Sequence, residues 1–182
     1  MLIKRDHYKK WLDEFREKNL VKVLTGLRRA GKSTILEMYM SSLIDEGVNA
    51  SQIISINFEQ LEFAELTDPI KLHNKILSSL ISNKTTYVFL DEIQHVKNYE
   101  KVIDSLYIRK GIDLYITGST ADLLSSEIAS RLTGRYVEIN VLPLSFHEYA
   151  LGKNLNDGNS KQLFMSYLSY GGLPGALEFH DN

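Results

Sequence analysis

The 182-residue chain has no cysteine, which excludes disulfides and thiolate-held metals. Only three prolines interrupt it, and no uninterrupted apolar run approaches the ~18 residues of a membrane-spanning helix. The N-terminal MLIKRDHYKKW lacks the apolar core of a signal peptide. These absences lead us to expect a cytoplasmic protein with no membrane partner. The five histidines (7, 73, 95, 147 and 180) are scattered, none four residues from another, so a histidine-based metal site is not expected. Net charge is only -2, so the whole chain is no nucleic-acid polyelectrolyte. The charge is uneven, however. Residues 1–32 carry ten Lys/Arg against four Asp/Glu, or +6, and the remainder carries 11 against 19, or -8. A basic N-terminal stretch leaves DNA open as a partner, beside the plainer reading of a solvated helix.

With 43% hydrophobic and 24% charged residues, the chain is an ordinary globular sequence of one-domain size. Residues 4–18 place Tyr8, Trp11, Leu12 and Phe15 at helical spacing. VKVLTG (21–26) is a short apolar run stopped by glycine, hence a strand. From Lys32 the period becomes helical through Ile35, Leu36, Tyr39, Met40 and Leu43, up to Gly47. Further strands are expected at 52–58, 86–90, 112–117 and 136–141. Further helices are expected near 70–82, 99–110, 120–127, 145–151 and 160–169, with a polar loop at 151–161. Strands alternating with helices predict an α/β fold with a mostly parallel sheet covered on both faces.

Gly26-Leu27-Arg28-Arg29-Ala30-Gly31-Lys32-Ser33 fits G-x-x-x-x-G-K-[ST] and sits between an expected strand and an expected helix. Its backbone N–H groups and the helix N-terminus suit an anion. Lys32 is expected at the β/γ-phosphates and Ser33 on Mg²⁺. The nucleotide-binding candidates are Gly26, Arg28, Arg29, Ala30, Gly31, Lys32, Ser33 and Thr34. Arg28 and Arg29 occupy variable positions, and their side chains are expected to point outward. TYVFL (86–90) delivers Asp91-Glu92 to its carboxyl end, where open α/β sheets bind ligands. Asp91 is then a second metal candidate, and Glu92 a general base for water; the plainer alternative is a polar strand end. TGST (117–120) places Thr117, Ser119 and Thr120 at another carboxyl end. These hydroxyls suit either a γ-phosphate or ordinary helix-capping chemistry. Arg131 and Arg135 precede the last strand, as structural ion-pair partners or as an arginine donated to a phosphoryl group. GTPases are disfavoured, because Asn83-Lys84 continues with Thr85-Thr86 and not with the Asn-Lys-x-Asp base reader.

Together, GLRRAGKST, YVFLDEIQ, YEKVIDSLY, LYITGSTADLL, LTGR, VLPLSFHEY and GGLPGAL resemble the prokaryotic AAA-type ATPases that join an N-terminal AAA domain to a C-terminal domain of unknown function. The resemblance covers nearly the whole chain. It implies an ATP-binding core at 1–150 with a five-stranded parallel sheet, order 5-1-4-3-2, and the start of a helical extension at 151–182. Family members run on well past GGLP, so the C-terminal domain and much of any lid are expected to be missing. The resemblance implies ATP and Mg²⁺ as ligands, a sensor at Ser119 or Thr120, and residues before the first strand, Arg5 or Tyr8, beside the base. It also allows a homo-oligomer in which an arginine reaches a neighbouring site. The catalytic candidates are therefore Glu92, Ser119, Thr120 and Arg135. Three functions fit: an Mg²⁺-dependent ATPase that moves a C-terminal domain, a nucleotide-binding switch with negligible turnover, and a DNA-associated ATPase.

Overall fold

A strand apolar along its whole length must be covered on both faces, and β3 shows how the chain meets that demand. In the computed structural model, which describes residues 3–119, 123, 133–153 and 160–178, β1 (Val21–Gly26), β2 (Ile53–Asn57), β3 (Thr86–Asp91), β4 (Ile112–Thr117) and β5 (Tyr136–Val141) form one parallel sheet. Its order is β2-β3-β4-β1-β5, the expected 5-1-4-3-2 read from the other edge. Side chains alternate along each strand. Val88 and Leu90 of β3 therefore enter one core with Val21 and Val23 of β1. α3 (Pro69–Ser78) and α4 (Tyr99–Tyr107) cover that side through Leu72, Ile76, Val102, Ile103 and Leu106. Tyr87 and Phe89 enter the other core, covered by α1 (Asp6–Phe15) and α2 (Lys32–Asp45).

Local chemistry fixes the helix starts. Asp68 accepts from the N–H groups of Ile70 and Lys71, each at 2.9 Å, and Pro69 opens α3 with its φ preset. α5 (Phe146–Gly152) begins in a capping box between Ser145 and Glu148. Together with α6 (Ser160–Tyr170) it forms a small third cluster around Leu144, Tyr149 and Ala176. The PLSFHEY and GGLP stretches meet there: the Leu144 N–H donates to the Gly172 carbonyl at 2.6 Å, and the Tyr167 hydroxyl donates to the Leu144 carbonyl at 3.0 Å.

Some expectations need correction. Trp11 is 47% exposed: Tyr8 and Leu12 carry the buried stripe of α1, and Trp11 sits on its flank, edge-on to His7 and Tyr8. α3 ends at Ser78 and α4 at Tyr107, earlier than the apolar spacing suggested. Short 3-10 segments at Leu61–Thr67, Ile93–His95 and Pro174–Glu178 were not foreseen, because runs this short leave too little periodicity to read. The helix expected at 120–127 lies outside the described residues except for Leu123, which is buried.

One polar cluster lies deep in the sheet. Lys22 of β1 and Asp113 of β4 form a fully buried ion pair. Asp113 also accepts from the Tyr115 hydroxyl at 2.8 Å and the Glu17 N–H at 2.9 Å. Burial depresses the Lys22 pKa in spite of the Asp113 carboxylate beside it. Removing one partner strands the other charge in the core, so Asp113→Ala is expected to cost about 3–5 kcal/mol in urea unfolding. The double replacement Lys22→Met with Asp113→Leu should cost much less. Equal losses in the single and double variants would show that packing, and not the stranded charge, sets the cost.

Candidate nucleotide site

The turn out of β1 is confined from the start. Gly26 has φ 138°, and a Cβ there would collide with the Val141 carbonyl oxygen of β5. Gly31, at φ 99°, is the N-cap of α2 and offers no side chain to its first turn. The N–H groups of that turn are thus free of any side-chain cap from their own N-cap residue, at the positive end of the helix dipole. Such a turn suits phosphate oxygens. Lys32 enters here with its side chain only 3% exposed. Its Nζ lies 3.4 Å from the Leu27 carbonyl and 3.6 Å from Oε1 of Glu92. The two neighbouring arginines lie at the loop surface. Arg28, its side chain 80% exposed, pairs with Glu59 at 3.2 Å. Arg29 is exposed and left-handed at φ 65°.

β3 places the acidic pair opposite. Asp91 is buried and accepts a hydrogen bond from the Thr117 hydroxyl, with Ser33 lining the same cavity. The Thr117 oxygen in turn accepts the Glu92 N–H at 2.9 Å. Thr117 is fully buried, so this hydroxyl braces the acidic pair and does not face a ligand. Glu92 itself is left-handed at φ 55°, a backbone state that costs a non-glycine residue about 1–3 kcal/mol and is typical of functional sites. Mg²⁺ characteristically takes one or two protein oxygens and completes its shell with phosphate and water. Ser33 and Asp91 match that donor set. Among the described residues no cluster of three His, Cys, Asp or Glu side chains forms a separate metal site.

Burial pushes the Asp91 pKa up, against the opposing influence of the neighbouring Thr117 and Ser33 hydroxyls. A carboxyl raised above its unfolded value stabilises the fold when protonated and loses that contribution as pH rises through the folded pKa. At neutral pH its charge is therefore a stability cost in the ligand-free protein. Asp91→Asn is expected to raise the ligand-free melting temperature at pH 7, with the gain shrinking as pH falls through the carboxylate range. It should at the same time remove the Mg²⁺ dependence of nucleotide binding. A lower melting temperature across that range would contradict the assignment.

A cavity of about 340 Å³ flanks the loop, between Ile3, Gly31, Thr34, Met38, Pro174 and Leu177. Its size and mixed lining suit a planar heterocycle. Arg5 borders it but is not available to read a base. Its guanidinium donates to Glu148 at 2.9 Å, to the Ala30 carbonyl at 3.3 Å and to the Leu142 carbonyl at 2.8 Å. Burial raises the Glu148 pKa, but the hydrogen bonds from Arg5 and Ser145 outweigh it and hold that carboxylate low. Tyr8 is buried, and its hydroxyl accepts the Leu142 N–H at 2.9 Å. Both residues are struts that fasten the N-terminal segment to the loop and to the β5–α5 connection.

The structure thus brings Lys32, Ser33, Asp91 and Glu92 together and carries Ser119 into the adjoining segment, where Gly118 N donates to the Leu24 carbonyl at 3.4 Å. Thr120 and Arg131 lie outside the described residues. Arg135 is not brought in. It precedes β5 at the opposite end of the sheet, 3.9 Å from Asp104 and stacked over Tyr107. Two residues near the site were missed. Gln94, two positions after Glu92, donates to its carboxylate at 2.6 Å. Asn57 stands opposite Asp91 in the β2–β3 register and lines a cavity with Ser33. The DEIQ tetrapeptide was the available signal for Gln94; Asn57 carried none.

Comparison with known proteins agrees with this geometry. Residues 18–150 match the family described as "AAA domain". An uncharacterized protein of Haemophilus influenzae is 37% identical over 180 residues, which is 97% of this chain and 45% of that protein. The uncharacterized protein MJ1544 of Methanocaldococcus jannaschii is 36% identical over 139 residues, 76% of this chain and 30% of its own. The chain therefore spans less than half the length of these relatives. Among solved structures, AMPPCP-bound DnaA from Aquifex aeolicus superposes with a TM-score of 0.63 at 14% identity, over 96% of this chain and 58% of its own. Cdc6p from Pyrobaculum aerophilum gives 0.62 at 13%, over 94% and 56%. At such identities these two speak for the fold alone. No helix among the described residues is long and apolar enough to cross a membrane. With the phosphate-loop turn, the acidic strand third in sequence and the sheet order all in place, the chain belongs to the AAA domain family of P-loop ATPase folds.

Proposed function

We propose that this domain binds ATP with Mg²⁺ and hydrolyses it. The observation that carries this reading is the approach of Lys32 Nζ to Glu92 Oε1 at 3.6 Å, which joins the phosphate-binding lysine to a carboxylate suited to water activation. Lys32 and the first turn of α2 hold the phosphates, Ser33 and Asp91 offer oxygens to the metal, and Ser119, just past the end of β4, is the candidate to sense the γ-phosphate. Bound Mg²⁺ would neutralise charge on the β- and γ-oxygens. Glu92 takes the proton of the attacking water. α5, which precedes the helical extension, is fastened to the loop through Glu148, Arg5 and the Ala30 carbonyl, and this joint would carry nucleotide state to further chain. An arginine from a second copy would complete the site, with Arg135 as the described candidate.

The DNA-associated reading finds little support. Six of the ten basic residues in 1–32, namely Arg5, Lys9, Arg16, Lys22, Arg28 and Lys32, are paired with carboxylates. The N-terminal excess is thus largely neutralised within the fold. Isothermal titration with ATP, ADP and GTP, in Mg²⁺ and in EDTA, tests the binding step. Tight Mg²⁺-dependent ATP binding is expected, and no measurable binding of any nucleotide would refute the reading.

A further inference from the structure

The Glu92 carboxylate is held from both sides. Its Oε1 lies 3.6 Å from Lys32 Nζ, and its Oε2 accepts the Gln94 side-chain N–H at 2.6 Å. Gln94 sits on the 3-10 turn Ile93–His95, anchored by the fully buried Ile93. Its other side-chain atom, Oε1, is buried and has no hydrogen-bond partner among the described residues. That oxygen lies against Gly118, 2.6 Å from where a Cβ would stand. Gln94 is thus wedged between the proposed base and the segment leading to Ser119. Leaving a buried acceptor unpaired costs free energy, and the opposite amide orientation would set Gln94 Oε1 against the Glu92 carboxylate. The arrangement is therefore one-way: the amide N–H groups serve Glu92, and the carbonyl rests on Gly118.

The geometry points to Gln94 as the positioning residue for Glu92, in a resting lock that nucleotide opens. This inference rests on the reading of Glu92 as the base. In the ligand-free state Gln94 bonds Oε2 and Lys32 Nζ stands 3.6 Å from Oε1, so the ammonium competes with water for that oxygen. Phosphate oxygens compete for Lys32 and draw it from Oε1. Gln94 keeps Oε2, so the carboxylate stays oriented while Oε1 becomes available to the water that loses its proton. No bond to Glu92 is made or broken in this step. The lysine changes partner, and the base is presented only when a phosphate is there to be attacked.

Four variants and one spectroscopic signal test this. Gln94→Met keeps length and removes both amide groups. It is expected to lower kcat about 10²-fold, the usual cost of misplacing a reacting group by an ångström, with ATP affinity unchanged within about twofold. In a Glu92→Gln background Gln94→Met should cause no further loss, because groups acting as one unit are non-additive. An unchanged kcat in Gln94→Met, or a full further loss in the double variant, overturns the positioning role. The assignment of Glu92 fails separately, if Glu92→Gln alone leaves turnover intact. Independently of turnover, the Gln94 side-chain amide in ¹⁵N spectra of the ligand-free protein should exchange slowly and lose that protection in Glu92→Ala. It should keep the protection when Mg²⁺ and a non-hydrolysable ATP analogue are added. An amide signal indifferent to Glu92→Ala removes the lock, and loss of protection on adding nucleotide removes the claim that Gln94 holds on while Lys32 leaves.

Discussion

Lys32→Ala is expected to weaken binding of Mg²⁺-ATP by at least about 10²–10³-fold. The lysine enters the phosphate loop nearly fully buried and reaches toward Glu92. Two charge-assisted hydrogen bonds to phosphate, at about 1.5–3 kcal/mol each, account for a loss of that size. Arg28→Ala is the matched control. Its guanidinium is paired with Glu59 in solvent, where an ion pair contributes about 0–1 kcal/mol. Its loss should change affinity no more than about threefold. The pair of titrations thus separates two basic residues four positions apart. Comparable losses would mean that the side chain of Arg28 turns onto the phosphates when nucleotide arrives.

Glu92→Gln has the second large effect. Removing a general base lowers turnover about 10²–10⁴-fold, and glutamine leaves the left-handed backbone at φ 55° and the Thr117 brace undisturbed. Affinity should be retained or tightened. In the wild type the carboxylate competes with phosphate for Lys32 across 3.6 Å, and a neutral amide competes less. A variant with slowed hydrolysis and weaker binding would point to disruption of the loop and not to loss of the base.

How much of this was legible in the sequence differs from residue to residue. All five strands followed from short apolar runs bounded by turn residues or acids, most firmly β1, β3 and β4, which are buried on both faces; the strand order came only with the family resemblance. Lys32, Ser33 and Asp91 could be placed because their motifs specify backbone shape as well as chemistry: Gly26 and Gly31 do adopt the positive φ values the loop requires. Three things were not legible. Thr117, one of the three hydroxyls that suited a γ-phosphate, proved to be the brace between Asp91 and Glu92, a role set by the β3–β4 pairing and not by local sequence. Arg5 looked free to meet a base and is instead bound by partners more than a hundred residues away in Leu142 and Glu148. Gln94 acts through a contact two residues away across a left-handed turn, and no helical or strand period reports that turn. In each case the missing information was a long-range partner or a single backbone angle.

The central claim is that Glu92 and Lys32 form a working hydrolytic pair. Its most direct measurement is phosphate release from saturating Mg²⁺-ATP, followed together with bound nucleotide, for the wild-type chain and Glu92→Gln. The mechanism predicts Mg²⁺-dependent release by the wild type, and in the variant retained ATP occupancy with release reduced about 10²-fold or more. Tight ATP binding without release by the wild type, or equal release by both, would contradict it and leave a nucleotide switch in place of an ATPase.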